Sequence, residues 1–99
     1  MKEHMRVRVK MTQEDIDESV TCRGLPRSCV VALACRRTMN IKPLENEDLL
    51  VSSSSVTLIR AGKHFVAPLN SRMQRFIMVF DEGGEVKPTN FTLDFQRKS

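Results

Sequence analysis

The chain predicts an α+β fold: a single small domain of about four mostly antiparallel strands, with two main helices on one face, in the order β-α-α-β-β-α-β. Three observations carry this expectation. Residues 5–11 alternate strictly, with Met5, Val7, Val9 and Met11 on one side and Arg6, Arg8 and Lys10 on the other. That period of two marks a half-buried strand. Met73, Phe76, Ile77 and Phe80 recur at helical spacing, forming the apolar stripe of an amphipathic helix. Near the end, Phe91, Leu93 and Phe95 alternate with Thr92 and Asp94. Helices on one side of a sheet of such strands form a two-layer domain, and 99 residues suffice for one hydrophobic core.

The elements follow in order. After the first strand, Thr12-Gln13-Glu14-Asp15 has the spacing of a capping box. It predicts a short helical segment over residues 13–19, with Ile16 and Val20 turned to the core. Acids crowd its start, where the helix dipole favours them. Residues 21–27, containing Gly24 and Pro26, read as a loop. Ser28 suits an N-cap for a helix over residues 29–39. That helix, Cys29-Val30-Val31-Ala32-Leu33-Ala34-Cys35-Arg36-Arg37 and onward, is apolar over a wide arc and so expected to be packed on several sides. Arg36 and Arg37 complement the dipole at its exit.

Residues 40–48 form a polar connection. Leu49-Leu50-Val51 and Val56-Thr57-Leu58-Ile59-Arg60 have strand character, with four serines between them. The serine run reads either as an exposed bend or as part of one twisted strand. Ala61-Gly62-Lys63 predicts a hairpin turn, and His64-Phe65-Val66-Ala67 pairs back until Pro68. Asn70 or Ser71 caps the second long helix, residues 71–81, and Gly83-Gly84 ends it. The two terminal strands are expected to be neighbours, with Thr92 and Asp94 facing Arg6 and Arg8 across the outer surface.

Composition narrows the function. All five aromatic residues are Phe, so stacking of single-stranded bases on Tyr or Trp is not on offer. No apolar run approaches the ~18 residues that cross a bilayer, and the charged start lacks the apolar stretch of a signal peptide. These features predict a cytoplasmic protein with no membrane partner. An odd number of cysteines, Cys22, Cys29 and Cys35, fits free thiols and not a disulfide framework.

Catalytic and metal chemistry find little support. The cysteines are seven and six positions apart, and His4 and His64 are remote from them, so paired zinc-ligand spacing is absent. Cys29 at a helix start invites a lowered thiol pKa, yet no base adjoins it in sequence. The carboxylates, Glu14/Asp15 with Asp17/Glu18 and Glu45/Glu47/Asp48, read as solvated acid patches. Gly83-Gly84 follows a helix and is no phosphate loop. Neither a catalytic residue, a metal nor a cofactor is expected.

The arginines are the stronger signal. The net charge is +4, with ten arginines among sixteen basic residues. Arg6 and Arg8 share a row with Lys10 on one strand. Arg23 and Arg27 flank the start of the Cys29 helix, where free N–H groups attract anions. Arg36 and Arg37 leave its end, and Arg72 and Arg75 lie on the second long helix. These eight, Arg6, Arg8, Arg23, Arg27, Arg36, Arg37, Arg72 and Arg75, are the candidate contacts to carboxylate or phosphate.

Four segments also carry a resemblance. Val9-Lys10-Met11-Thr12-Gln13-Glu14-Asp15-Ile16, Ser28-Cys29-Val30-Val31-Ala32-Leu33-Ala34, Phe76-Ile77-Met78-Val79-Phe80-Asp81-Glu82-Gly83 and Val86-Lys87-Pro88-Thr89-Asn90-Phe91 together resemble a family of small proteins encoded by tailed bacteriophages. The match spans most of residues 9–95. In that family the helix commonly opens Cys-Pro; here Val30 stands in place of the proline. The resemblance implies a phage origin and a host-cytoplasm setting, and it implies no activity. The resulting expectation is a non-enzymatic binding protein that modulates a host protein or complex, including an inhibitor of a host defence complex. The alternative is direct binding of nucleic acid or a nucleotide through the arginines.

Overall fold

The computed structural model describes residues 4–20, 29–41 and 46–98. Its elements are β1 (His4–Lys10), α1 (Gln13–Ser19), α2 (Val30–Met39), β2 (Asp48–Val51), β3 (Ser55–Arg60), β4 (Lys63–Pro68), α3 (Ser71–Asp81) and β5 (Asn90–Lys98). The strands form one antiparallel sheet in the order β1-β5-β4-β3-β2. The α+β class holds, but among the described residues the sheet has five strands and not about four, and the helices are three.

The extra strand comes from the serine run. Ser52 N–H donates to the Ser55 carbonyl at 2.9 Å, while Ser52 Oγ accepts from the N–H groups of Ser54 and Ser55. A hydroxyl that satisfies local backbone donors stabilises a turn against an extended chain. The run is therefore an exposed bend that splits β2 from β3. Order thus becomes β-α-α-β-β-β-α-β.

The terminal strands pair as the alternation predicts. Arg6 lies opposite Asp94, Arg8 opposite Thr92, and Met5, Val7 and Val9 opposite Phe95, Leu93 and Phe91. The apolar row from each strand faces the helices, and all the buried apolar residues form one cluster. Helix α2 lies against both β1 and β2, the two edges of the sheet. A flat five-stranded sheet holds its edges about 19 Å apart, four spacings of ~4.8 Å. One helix meets both because the sheet coils around it. Ala32, Ala34 and Cys35, all fully buried, keep α2 thin enough for that close approach.

Caps set the helix bounds. Thr12 and Asp15 complete the capping box of α1 in both directions. Ile16 is buried, but Val20, the C-cap of α1 with helical backbone, is 41% exposed and not turned into the core. Cys29, with extended backbone, is the N-cap of α2, one residue later than the expected cap; Ser28 lies outside the described residues. Asn70 Oδ1 accepts from Met73 N–H at 2.8 Å and so caps α3. At its far end Gly84 is sterically required: a Cβ there would sit 2.6 Å from Val79 Cγ1 and 3.0 Å from the Val79 carbonyl oxygen.

The β3–β4 hairpin carries one local strain. Ala61 and Gly62 have φ of 52° and 74°, so both central residues of the turn are left-handed. That geometry matches the strand twist but suits Asn or Gly at its first position. An alanine there opposes its own Cβ. Replacement Ala61→Gly is expected to raise stability by about 0.5–1 kcal/mol, read as a higher urea midpoint at unchanged slope.

Candidate interaction surface

All three described helices cover one face of the sheet, and none of the described helices covers the other, the bare face below. Alternation puts on it His4, Arg6, Arg8 and Lys10 from β1, and Asn90, Thr92, Asp94, Gln96 and Lys98 from β5. Strand β4 adds His64, Val66 and Pro68; β3 adds Ser55, Thr57 and Ile59; β2 adds Leu50 and, opposite Ile59, Asp48, whose carboxylate accepts from Arg36 and from the Leu49 N–H. The register aligns Leu50, Thr57, Val66, Gln96 and His4 in one row across all five strands.

This face is divided by chemistry. Its β2–β3–β4 half is richer in apolar residues, with Leu50, Ile59, Val66 and Pro68 around Thr57 and the polar Ser55, His64 and Asp48 at its ends. Its β1–β5 half is cationic. Arg6, Arg8, Lys10 and Lys98 meet a single outward carboxylate, Asp94, leaving a surplus of three positive charges where the entire chain carries +4. Arg6 Nε donates to Asp94 Oδ1 at 2.8 Å, and His4 Nε2 stands 3.7 Å from the same oxygen. The Arg6 hydrogen bond holds the Asp94 carboxyl below its ordinary range and raises the Arg6 guanidinium in turn. Both groups are solvent-exposed, so the pair is screened and contributes little to stability. Asp94 orients Arg6 and does not bury it.

The six candidate arginines among the described residues are not gathered at one place. Arg6 and Arg8 lie side by side on the bare face, exposed. Arg36 Nη2 donates to Asp48 Oδ1 at 2.7 Å and to the Leu49 carbonyl at 2.9 Å. Arg37 Nη2 and Nε bind the two Asp15 carboxylate oxygens at 2.7 and 3.2 Å, and Nη2 also donates to the Lys10 carbonyl. Two neighbouring residues on one helix end thus tie that helix to opposite edges of the sheet. Arg72 donates to Thr89 Oγ1 and to the Asn90 carbonyl, anchoring α3 to the start of β5. Arg75 is exposed on α3 beside an open hollow of about 500 Å³ that includes Ser53, Ile77 and Met78. Arg23 and Arg27 lie outside the described residues.

Two expectations about titrating groups are corrected. Asp15 is no solvated acid: it is 5% exposed. Burial by itself would push its carboxyl up, but hydrogen bonds from Arg37 and from the Thr12 N–H outweigh that and hold it below its ordinary 3.8. Glu47 and Asp48 are likewise engaged, by Arg60 and Arg36. Cys29 does stand at a helix start, yet its thiol is pushed up and not down. Loss of solvent around a side chain 5% exposed exceeds the help of the Val31 and Ala32 N–H groups. Cys35 is fully buried and raised further for the same reason. Peptide-resolved alkylation at pH 8 is expected to modify Cys29 and Cys35 at least about 100-fold more slowly in the folded chain than in urea, because the reagent must await opening of the core. A rate at Cys29 close to the unfolded value would revive it as a reactive centre.

Lys98, Leu50, Ile59 and Val66 belong to the bare face and were not legible as surface residues. Their signal lay in the alternation of β2, β3, β4 and β5, which shows that two faces exist but not which one the helices cover. Among the described residues, no three His, Cys, Asp or Glu side chains converge on a metal-binding geometry, and no helix is long and apolar enough to cross a membrane. No protein-family model, curated protein or solved structure matches the chain.

Proposed function

We propose that this chain is a small phage-encoded, non-enzymatic binding protein that docks its bare sheet face on an acidic host protein and thereby inhibits the complex to which that protein belongs, a host defence complex being the favoured class. The single observation behind this reading is the composition of that face, an apolar half beside a cationic half. Apolar area supplies affinity through burial. The cationic half supplies orientation and association rate toward an acidic rim. Arginine suits paired contacts with carboxylates.

A photo-crosslinking residue at Thr57, in the middle of the face, is the direct test. In host lysate it is expected to capture a partner that a crosslinker at Glu14, on α1, does not. The Arg8→Glu/Lys10→Glu double variant is expected to lower that yield at least about tenfold, since repulsion replaces attraction at two contacts. Equal capture from both positions, or none from Thr57 at low salt, would count against this reading.

Nucleic acid is the second reading. Asn90, Thr92 and Gln96 interleave with the cations, a pattern suited to phosphate and sugar contacts. No aromatic residue stands on the bare face, which removes base stacking from its resources. Gel shifts at 50 and 200 mM salt separate the two: phosphate binding falls steeply across that range, whereas a contact with a large apolar half falls less.

A further inference from the structure

We infer that the His4–Arg8 stretch of the β1 edge accepts an extended segment of the partner in which acidic and apolar residues alternate. This deepens the reading above and rests on it, since it names the form in which the acidic partner meets the cationic half of the face.

Hydrogen-bond phase shows which backbone groups are open. Met11 N–H donates to the Thr89 carbonyl at 3.0 Å, and these two residues continue the β1–β5 register. They form a hydrogen-bonded pair, so the pairs alternate back along β1. Lys10, Arg8, Arg6 and His4 then fall in the pairs whose N–H and C=O point away from β5, toward the free edge. Lys10 confirms the phase, because its carbonyl is the one that Arg37 takes.

The other edge follows the same rule and is closed at Leu49. Ser52 N–H donating to Ser55 sets the β2–β3 phase, and Leu49 turns outward. Its carbonyl accepts from Arg36 and its N–H donates to Asp48 Oδ1. Closing an edge in this way blocks strand addition. Among the described residues, the outward groups of Arg6 and Arg8 have no such cover.

Both faces of the open stretch say what would fit. On the helix side Val9 is fully buried, whereas Met5 and Val7 are only partly covered. A strand laid beside them would cover them with its own apolar residues. On the bare side Arg6, Arg8 and Lys10 call for acids at the alternate positions, since side chains on neighbouring strands interact in directly opposed pairs. A second copy of this chain is disfavoured by the same rule: β1 against β1 sets arginine and lysine against their like. Strand addition of this kind takes affinity from main-chain bonds and specificity from alternate side chains.

The probe is a capped heptapeptide alternating glutamate and valine, with a second peptide of the same composition whose glutamates are grouped together. Amide exchange read by NMR at 50 mM salt is expected to slow at least about tenfold at Arg6 and Arg8 with the alternating peptide at saturation, as new hydrogen bonds form there. The grouped peptide is expected to leave these two amides unchanged. Arg8→Ala removes the side chain but keeps the N–H; Arg8→Pro also removes the outward N–H and spares the bonds to β5. Binding of the alternating peptide is expected to be at least about tenfold weaker for Arg8→Pro than for Arg8→Ala, with Val7 and Val9 amides still protected in both. The inference is overturned if the two peptides bind alike without protecting Arg6 and Arg8, or if the alternating peptide fails to bind the wild-type chain. Either result leaves crosslinking from Thr57 to decide the face reading by itself.

Discussion

Arg37→Ala is expected to cost about 3 kcal/mol at pH 7, measured by urea unfolding, out of a total of roughly 5–15 kcal/mol for a domain of this size. The cause is what the substitution leaves behind. Asp15 is 5% exposed, and without Arg37 its carboxylate keeps only the Thr12 N–H and hydroxyl. A buried charge stripped of its partner carries most of its desolvation cost unrelieved. The Lys10 carbonyl loses its donor as well, and with it the tie between α2 and the β1 edge. Asp15→Asn is expected to cost less, because it removes the charge together with the need to compensate it. The double variant is expected to be more stable than the two single losses added together, as residues in one network couple.

The pH dependence carries a sign that identifies the mechanism. In the native chain the Asp15 pKa is lowered below 3.8. A group depressed on folding contributes stability that is fully present above its unfolded value and lost as pH falls through the folded one. The wild-type chain is therefore expected to lose this contribution only below about pH 4. Arg37→Ala reverses the direction: burial, no longer opposed by the guanidinium, favours the protonated carboxyl. Its deficit relative to wild type is expected to be largest near neutrality and to shrink as pH approaches 4. A deficit independent of pH from 7 to 4 would mean that the loss is one of packing, not of an uncompensated charge.

The second large effect lies in the sheet. Phe95→Ala is expected to cost about 3–5 kcal/mol. Phe95 is fully buried on β5, the strand that holds β1 to the rest of the sheet, and it stands directly opposite Met5. Deleting the ring removes apolar burial and leaves a cavity between layers that cannot fully close. Phe95→Leu is expected to cost less than about 1.5 kcal/mol because it keeps most of the volume. Urea midpoints check both, and an unchanged slope shows that the same surface unfolds. The loss is expected to reach the proposed docking as well as stability, because β1 carries the cationic row.

Local chemistry was the legible part. The Thr12–Asp15 box, the Asn70 cap, the stripe of α3 and the facing of Arg6 on Asp94 all depend on residues whose period or spacing declares itself. The division of Leu49-Leu50-Val51 from Val56 did not, because four serines satisfy a bend and an exposed strand alike until Ser52 is seen to close the turn. Arginine roles were the least legible. Arg36, Arg37 and Arg72 have the same composition signal as Arg8, but a guanidinium is free or engaged according to which carbonyls and carboxylates the fold brings within its reach. Asp15 shows the same limit: its acidic neighbours Glu14, Asp17 and Glu18 in sequence suggest solvent, and only the docking of α2 buries it.

By itself, then, the sequence determined the α+β class, the helices and most of the strands, the pairing of the chain's two ends and the alternation that makes one face cationic. Those properties follow from periods of two and 3.6 and from caps a few residues long. Only the tertiary structure decided which sheet face stays bare, which arginines are spent on sheet edges and which stretch of β1 stays open. These depend on α2 meeting β1 and β2 at once. That contact joins residues far apart in the chain, and its geometry is set by how the sheet coils and by the small residues that let the helix in.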